Sequence, residues 1–330
     1  MGTTRCLEGD KATTTKAEFP EMEMMCCDLT KPDQVRAVFK AHPNAAAAFL
    51  VTNYYDESMQ GDGVEERAAV ECATLAHEFG CKVFVFSTLP NVEAISQGKL
   101  KVPSFTGKAR AVEQIKEIKG LRSIFLELGF YYQNFASYTP VKVEGDTTVF
   151  ELPLSAQTKL HAFDVSQLGQ LVAMILNHPH AYTHKVVPVW GDALTGDEWA
   201  AAYAEVTGKK AVFRTIPADE LRETLSRARC KEDIHGMWKF VSEFGWMGLN
   251  KEKPDEAAKQ LGFLRHHWAN FHPRSFREWL KESKWQGQLQ LPIARGMRAM
   301  EQVAPEKTAA AAADTGKARE LEQAQAQGGK

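Results

Sequence analysis

The sequence predicts an α/β fold, a parallel β-sheet covered by helices and followed by a smaller α+β region. Apolar runs of strand length alternate with stretches of helical period. The runs are nearly continuous in apolar residues, so both faces of the sheet are to be covered. At 330 residues the chain can bury a sizeable core.

The elements follow in order. Met22 to Leu29 reads as a strand and Lys31 to Lys40 as a helix with Val35, Val38 and Phe39 on one face. Ala45 to Thr52 is a second strand, closed by Asn53. Glu65 to Phe79 has helical period, and Gly80 is its stop. Val83 to Phe86 is a buried strand, Thr106 to Ile118 an amphipathic helix, and Ser123 to Leu128 the next strand. Asp164 to Leu176 reads as a helix, Lys185 to Trp190 as a strand, and Thr195 to Thr207 as a helix opened by the capping box Thr195–Glu198. Ala211 to Ile216 is a short strand and Pro217 to Arg227 a helix. Trp238 to Met247 is a short aromatic stretch, and Phe276 to Leu280 ends the folded part. From Pro305 onward bulky apolar residues nearly vanish, which predicts a disordered tail or a lone solvated helix.

Composition narrows the function. Charged residues make up 25% and the hydrophobic set 44%, an ordinary soluble composition. The formal net charge of -2 argues against a general nucleic-acid binder. No apolar run reaches the roughly 20 residues of a membrane span, and the N-terminus has no secretory apolar region. Cysteines at 6, 26, 27, 72, 81 and 230 form no C-x-x-C pair, disulfide framework or zinc pattern. A reducing setting follows, the cytoplasm, with the nucleus as the other compartment. Cys26 and Cys27 point to opposite faces of a strand and read as core. His178, His180 and His184 read as surface loop residues rather than metal ligands, as do His266, His267 and His272.

Parallel sheets bind ligands at the carboxyl ends of their strands. The residues in that position are Asp28 and Leu29, Thr52 to Tyr54, Ser87 to Asn91, and Gly129 to Asn134. Each has an ordinary alternative. Asp28 suits an N-cap for the next helix. Thr52 and Asn53 suit a strand-end turn. Phe130 and Tyr131 suit plain core.

The ordered motifs resemble those of the NmrA-like family. They are Cys27-Asp28-Leu29, Phe49-Leu50-Val51-Thr52-Asn53-Tyr54, Phe84-Val85-Phe86-Ser87-Thr88-Leu89-Pro90-Asn91, Gly98-Lys99-Leu100, Ser104-Phe105-Thr106-Gly107-Lys108, and Gly129-Phe130-Tyr131-Tyr132-Gln133-Asn134-Phe135. Phe163-Asp164-Val165, Gly191-Asp192 and Phe276-Arg277-Glu278-Trp279-Leu280 add to them. The resemblance runs from about Thr3 to Leu280, and the order of the motifs carries it rather than any one of them.

The resemblance implies a Rossmann-type domain for NADP(H) and a role as a redox-sensing or regulatory protein acting through a protein partner, with weak or no catalysis. The alternatives are an NADPH-dependent reductase of a small hydrophobic metabolite and a truncated product unable to bind cofactor. It divides the chain into an incomplete NAD(P)-binding region, 1–160, the rest of the family domain with pocket-closing elements, 161–282, and an extension, 283–330. Family members open with a strand and a G-x-x-G-x-x-G loop that holds the pyrophosphate. Gly2 and Gly9 do not fit that loop, and Thr4-Arg5 matches the end of the family's second strand. The expectation is that the first strand and the phosphate loop are missing, with NADP(H) binding weak or lost.

The resemblance also assigns roles. Arg5 would fork onto the adenosine 2′-phosphate, or else be an exposed terminal Arg. Asp28 and Leu29 would flank adenine. Thr52, Asn53 and Tyr54 would meet ribose or phosphate. Ser87 would sit where the superfamily places a substrate-polarising Ser. Phe130, Tyr131 and Asn134 would line the nicotinamide side. Lys108 is the expected catalytic-motif residue. The superfamily's Tyr-x-x-x-Lys pair uses Lys to grip the nicotinamide ribose and to make Tyr a usable acid. Here the Tyr position holds Ser104, a far weaker acid, so Lys108 keeps the ribose while the proton chemistry lapses; its alternative is a solvated Lys at a helix start. With no central first strand, Met22 to Leu29 is expected to close onto Ala45 to Thr52, since unpaired buried backbone is costly.

Overall fold

A computed structural model describes residues 1–137, 141–224, 230–248 and 271–287. The chain runs β1 (Gly2–Thr4), α1 (Asp10–Glu18), β2 (Met24–Cys26), α2 (Pro32–Ala41), β3 (Ala47–Leu50), α3 (Val64–Glu78), β4 (Val83–Thr88), α4 (Val92–Ile95) and α5 (Pro103–Lys116). It continues with β5 (Arg122–Leu128), β6 (Phe130–Tyr131), α6 (Gln133–Ser137), β7 (Val141–Glu144), β8 (Thr147–Leu152), β9 (Leu160–Phe163) and α7 (Leu168–Asn177). The last elements are β10 (Val186–Val189), β11 (Asp192–Leu194), α8 (Gly196–Thr207), β12 (Lys210–Thr215), α9 (Ala218–Thr224), α10 (Lys231–Phe244) and α11 (Phe276–Ser283). The tail from Pro305 lies outside the described residues.

The central sheet is parallel, in the order β10-β5-β4-β3. The side chains of β4 are buried throughout. Phe84, Phe86 and Phe125 pack under α2, α3 and α5, and Val85, Ile124, Leu126 and Leu128 pack under α7. The two-faced burial expected from the continuous apolar runs is therefore present.

The expected closure does not occur. β1 and β2 pair in parallel as a separate two-stranded sheet, with Thr4 opposite Cys26. No described hydrogen bond joins this pair to β3. Cys27, Val35, Val38 and Phe39 nevertheless pack in one core with Leu50, Ala69 and Ala73. The side chains of α2 thus hold the N-terminal β–α–β piece against α3, and their packing fixes its place without the backbone pairing that closure would need. Phe49 and Val51, beside the interruption, are 40% and 51% exposed. Two neighbouring readings also change. Cys26 is exposed while Cys27 is buried, so only one of the two is core. Asp28 does not cap α2; its carboxylate accepts from the amide and hydroxyl of Thr30, and Lys31 is the N-cap.

The C-terminal half carries two small mixed sheets, β11-β9-β6 and β12-β8-β7, around an aromatic core. Trp199 of α8 lies 4.7 Å, ring centre to ring centre, from Phe276 of α11 and 5.2 Å from Phe135 of α6. The aromatic stretch at Trp238 belongs to a longer helix than expected. α10 begins at Lys231, and Ile234, Met237, Trp238 and Val241 form its buried face. The capping box of α8 forms as expected: Thr195 Oγ1 accepts from the Glu198 amide, Glu198 accepts from the Thr195 amide at 2.8 Å, and Gly208 ends the helix at φ +71°. Thr195→Ala should cost about 1 kcal/mol in a denaturant melt; a change within error would show that the cap is idle. Among the described residues, no helix is long and apolar enough to cross a membrane, and no group of three or more His, Cys, Asp or Glu is placed to hold a metal ion. His178, His180, His184 and His272 lie exposed on the surface.

Candidate functional site

The carboxyl ends of β3, β4 and β5 meet the start of α5. Pro103 occupies the first turn of α5, where its missing N–H costs nothing. The helix therefore starts three residues earlier than the sequence suggests, and Ser104 and Lys108 lie one turn apart on its buried side.

Lys108 reaches the end of β3. Its Nζ donates to the Thr52 carbonyl at 3.0 Å, to Thr52 Oγ1, and to Glu65 Oε1 at 2.6 Å. An ammonium has three protons, and all three are used within the protein. Burial pulls Lys108 below the ordinary lysine range, and the Glu65 carboxylate opposes that pull. Lys108 is thus no solvated surface Lys. Glu65, from the first turn of α3, is itself buried, and its second oxygen has no hydrogen-bond partner among the described residues.

Ser104 is bound to a carboxylate from α10. Asp233 accepts from the Ser104 amide at 2.9 Å and from its hydroxyl at 2.6 Å, and Tyr55 donates to the same carboxylate at 3.3 Å. Asp233 therefore caps α5 from another helix. Burial raises Asp233 above the usual carboxylate range despite these donors. Burial also raises Tyr55, and it pushes Tyr54 up to about 12, with the charge of Asp233 adding to it.

The strand ends form a row. Leu50, Phe86 and Phe125 are register neighbours across β3, β4 and β5, on the face under α3 and α5. Two residues further along β4 and β5 the same face carries Thr88 and Glu127, which are register neighbours, and Thr52 lies two residues beyond the end of β3. Glu127 is partly buried and makes no hydrogen bond or ion pair among the described residues. Burial alone raises its carboxyl to about 7.

The other expected site residues are spread more widely. Arg5 is exposed and paired with Asp56, just beyond β3. Leu29 packs against the core under α2. Asn53 is exposed and accepts from the Tyr55 amide at 3.2 Å. Ser87 is buried on the opposite face of β4 from Thr88. Phe130 is buried under Trp238 and Trp246, with ring centres 5.9 and 5.4 Å away. Tyr131 packs on Phe163, and Asn134 lies in α6. The structure brings Thr52, Lys108 and Ser104 together with Glu65, Tyr55 and Asp233, none of which the sequence reading picks out. Glu127 had a signal, a lone charge closing an apolar strand. Asp233 had none, because it arrives from 129 residues away.

Comparisons with known proteins agree with this architecture. Residues 4–280 match the NmrA-like family. An NmrA-like family domain-containing protein of Dictyostelium discoideum is 25% identical over 236 residues, 69% of this chain and 74% of that protein. The nitrogen metabolite repression protein nmr of Neurospora crassa is 25% identical over 196 residues, 55% of this chain and 36% of its own. The crystal structure of NmrA, a negative transcriptional regulator, in complex with NADP has a TM-score of 0.66 at 17% identity, with 85% of this chain and 86% of that chain covered. The Citrobacter sp. triphenylmethane reductase complexed with NADP(H) has a TM-score of 0.60 at 14% identity, with 86% and 89% covered. The structural likenesses establish a shared Rossmann-like α/β fold, and the match over residues 4–280 shows that the chain belongs to the NmrA-like family.

Proposed function

We propose that the protein is an NADP(H)-binding redox-sensing or regulatory protein that acts through a protein partner, with weak or no turnover. The observation that carries the reading is the fate of Ser104. Its hydroxyl occupies the acid's place in the superfamily motif, is buried, and is donated to Asp233 at 2.6 Å. An aliphatic hydroxyl held by a carboxylate has no proton to lend a substrate. Two relatives support the regulatory half: NmrA is a negative transcriptional regulator seen with NADP, and the Neurospora crassa protein is named for nitrogen metabolite repression.

The residues fit the two ends of the nucleotide unequally. Lys108 and Thr52 suit a ribose, because a sugar hydroxyl can take the place of Thr52 as an acceptor from Lys108. The pyrophosphate end fits poorly. Asp10 opens the helix that follows β1 and Glu8 stands just before its N-cap, Gly9, and two carboxylates around a helix start repel phosphate. Bound NADPH would supply a hydride, and the residues named here would orient it. The chain is expected to bind NADPH more weakly than micromolar, by calorimetry or NMR titration. Lys108→Met, measured below its melting temperature, should weaken binding further, and Ser104→Ala should leave it unchanged. Micromolar or tighter binding would refute the weak phosphate end. A loss from Ser104→Ala as large as that from Lys108→Met would refute the assigned roles.

A second reading, an NADPH-dependent reductase of a small hydrophobic metabolite, is favoured by one group. Glu127 stands beside Thr88 at the strand ends, and burial raises its carboxyl to about 7.

A further inference from the structure

We propose that Glu127 is the proton-exchanging group of the nucleotide site, and that NADP(H) binds to the form in which this carboxyl carries its proton. The inference rests on the nucleotide reading above and adds a residue and a mode of regulation to it.

Ligands of a parallel sheet sit beyond the carboxyl ends of its strands. Glu127 is the penultimate residue of β5 and lies beside Thr88 of β4 in register. Thr52, where Lys108 is anchored, lies two residues beyond the end of β3, whose last residue, Leu50, pairs with Phe86 of β4. β4 lies between β3 and β5, so at about 4.8 Å per strand the ends of β3 and β5 stand about 10 Å apart, the span of a ribose and its attached ring. β5 is held stiffly there. A Cβ on Gly129 would stand 2.9 Å from the His161 carbonyl and 3.0 Å from that of Val189, so the backbones pack closely just past Glu127.

Lys108 and Asp233, the charged groups nearest this end of the sheet, are engaged within the protein. Lys108 on α5 is spent on Glu65 of α3 and on Thr52, and Asp233 on α10 is spent on Ser104 and Tyr55. The register neighbours of Glu127 are Thr88 and Pro188, neither titratable. No charge of α3, α5 or α10 accounts for its raised carboxyl; burial alone does. A carboxyl in that state has one proton to donate to a ligand oxygen. Its ionised form would add a negative charge to a site that takes an anionic nucleotide, so NADPH binding favours the protonated form.

The test uses the full chain with NADPH as probe. The Glu127 side-chain carboxyl is followed by 13C NMR without ligand, and NADPH affinity is measured from about pH 6 to about pH 8 in buffers of different ionisation enthalpy. The expected result is a carboxyl midpoint near 7 without ligand, uptake of a fraction of a proton on binding, and an affinity that falls about fivefold between pH 7 and pH 8. Glu127→Gln, which keeps the shape and a donor, should flatten this pH dependence, and Glu127→Asp should restore part of it. A midpoint in the ordinary carboxylate range, or a pH dependence that persists in Glu127→Gln, overturns the inference and leaves the nucleotide reading standing. Absence of NADPH binding at millimolar concentration at every pH overturns the nucleotide reading, and the coupling falls with it.

Discussion

Lys108→Met is expected to lower the stability of the protein by about 3–5 kcal/mol, the usual cost of removing one partner from a buried ion pair. Lys108 and Glu65 are both buried, and their 2.6 Å contact is the principal compensation for desolvating each. Methionine fills similar space but strands a carboxylate whose second oxygen already lacks a partner. The loss should depend on pH in a definite direction. A stranded carboxylate sheds its charge by taking a proton, which favours the folded state in acid. The deficit should therefore be larger near pH 8 than near pH 5. The double substitution Lys108→Met, Glu65→Gln removes both charges and should recover most of the loss. Chemical denaturation at the two pH values checks all three statements. A single-variant loss under about 1 kcal/mol would mean that the pair is solvated in solution.

Trp199→Ala should be comparably severe, about 3–5 kcal/mol, through the cavity it leaves. The Trp199 ring is fully buried and touches Tyr132, Phe135 and Phe276 from three different elements. These neighbours belong to the turn after β6, to α6 and to α11, segments that cannot all move inward together. Calorimetry should show a lower melting temperature, and β10 and β4 should keep their protection longer than α11. A drop of only a few tenths of a kcal/mol would show that the surrounding rings collapse into the space.

What the sequence reveals depends on whether a segment carries its own period. β4 and β5 are legible because a strand buried on both faces is an unbroken apolar run, and β3 and β10 because their runs are equally apolar although Phe49 and Val186 are exposed. α3 and α8 are legible because a helical stripe and Gly80 or Gly208 mark them. β1 escapes because three residues hold no period, and α1 because it lacks an apolar stripe. The hairpin of β7 and β8 has a local signal, Gly145 at φ +63° followed by Asp146, which a search for alternating strands and helices passes over. The site divides in the same way. Thr52 and Lys108 are readable as a strand end and a helix start. Their meeting with Glu65, and that of Ser104 with Asp233, are products of packing across 43 and 129 residues. No local pattern encodes those distances.

The interruption between β2's small sheet and β3 has a consequence for how the molecule breathes. The three-residue ladder of β1 and β2 is attached to the remainder by the apolar face of α2 and by the pair Arg5–Asp56, without a backbone bond to the four-stranded sheet. It can lift away while every hydrogen bond of β3, β4, β5 and β10 stays in place. Amide hydrogens in β2 are then expected to reach solvent by a partial opening that costs the burial of the α2 face with Met25, Cys27 and Leu29, whereas those in β4 must wait for the whole domain to open. Two units of cooperativity are expected within this part of the described core, where the shared apolar cluster alone suggests one.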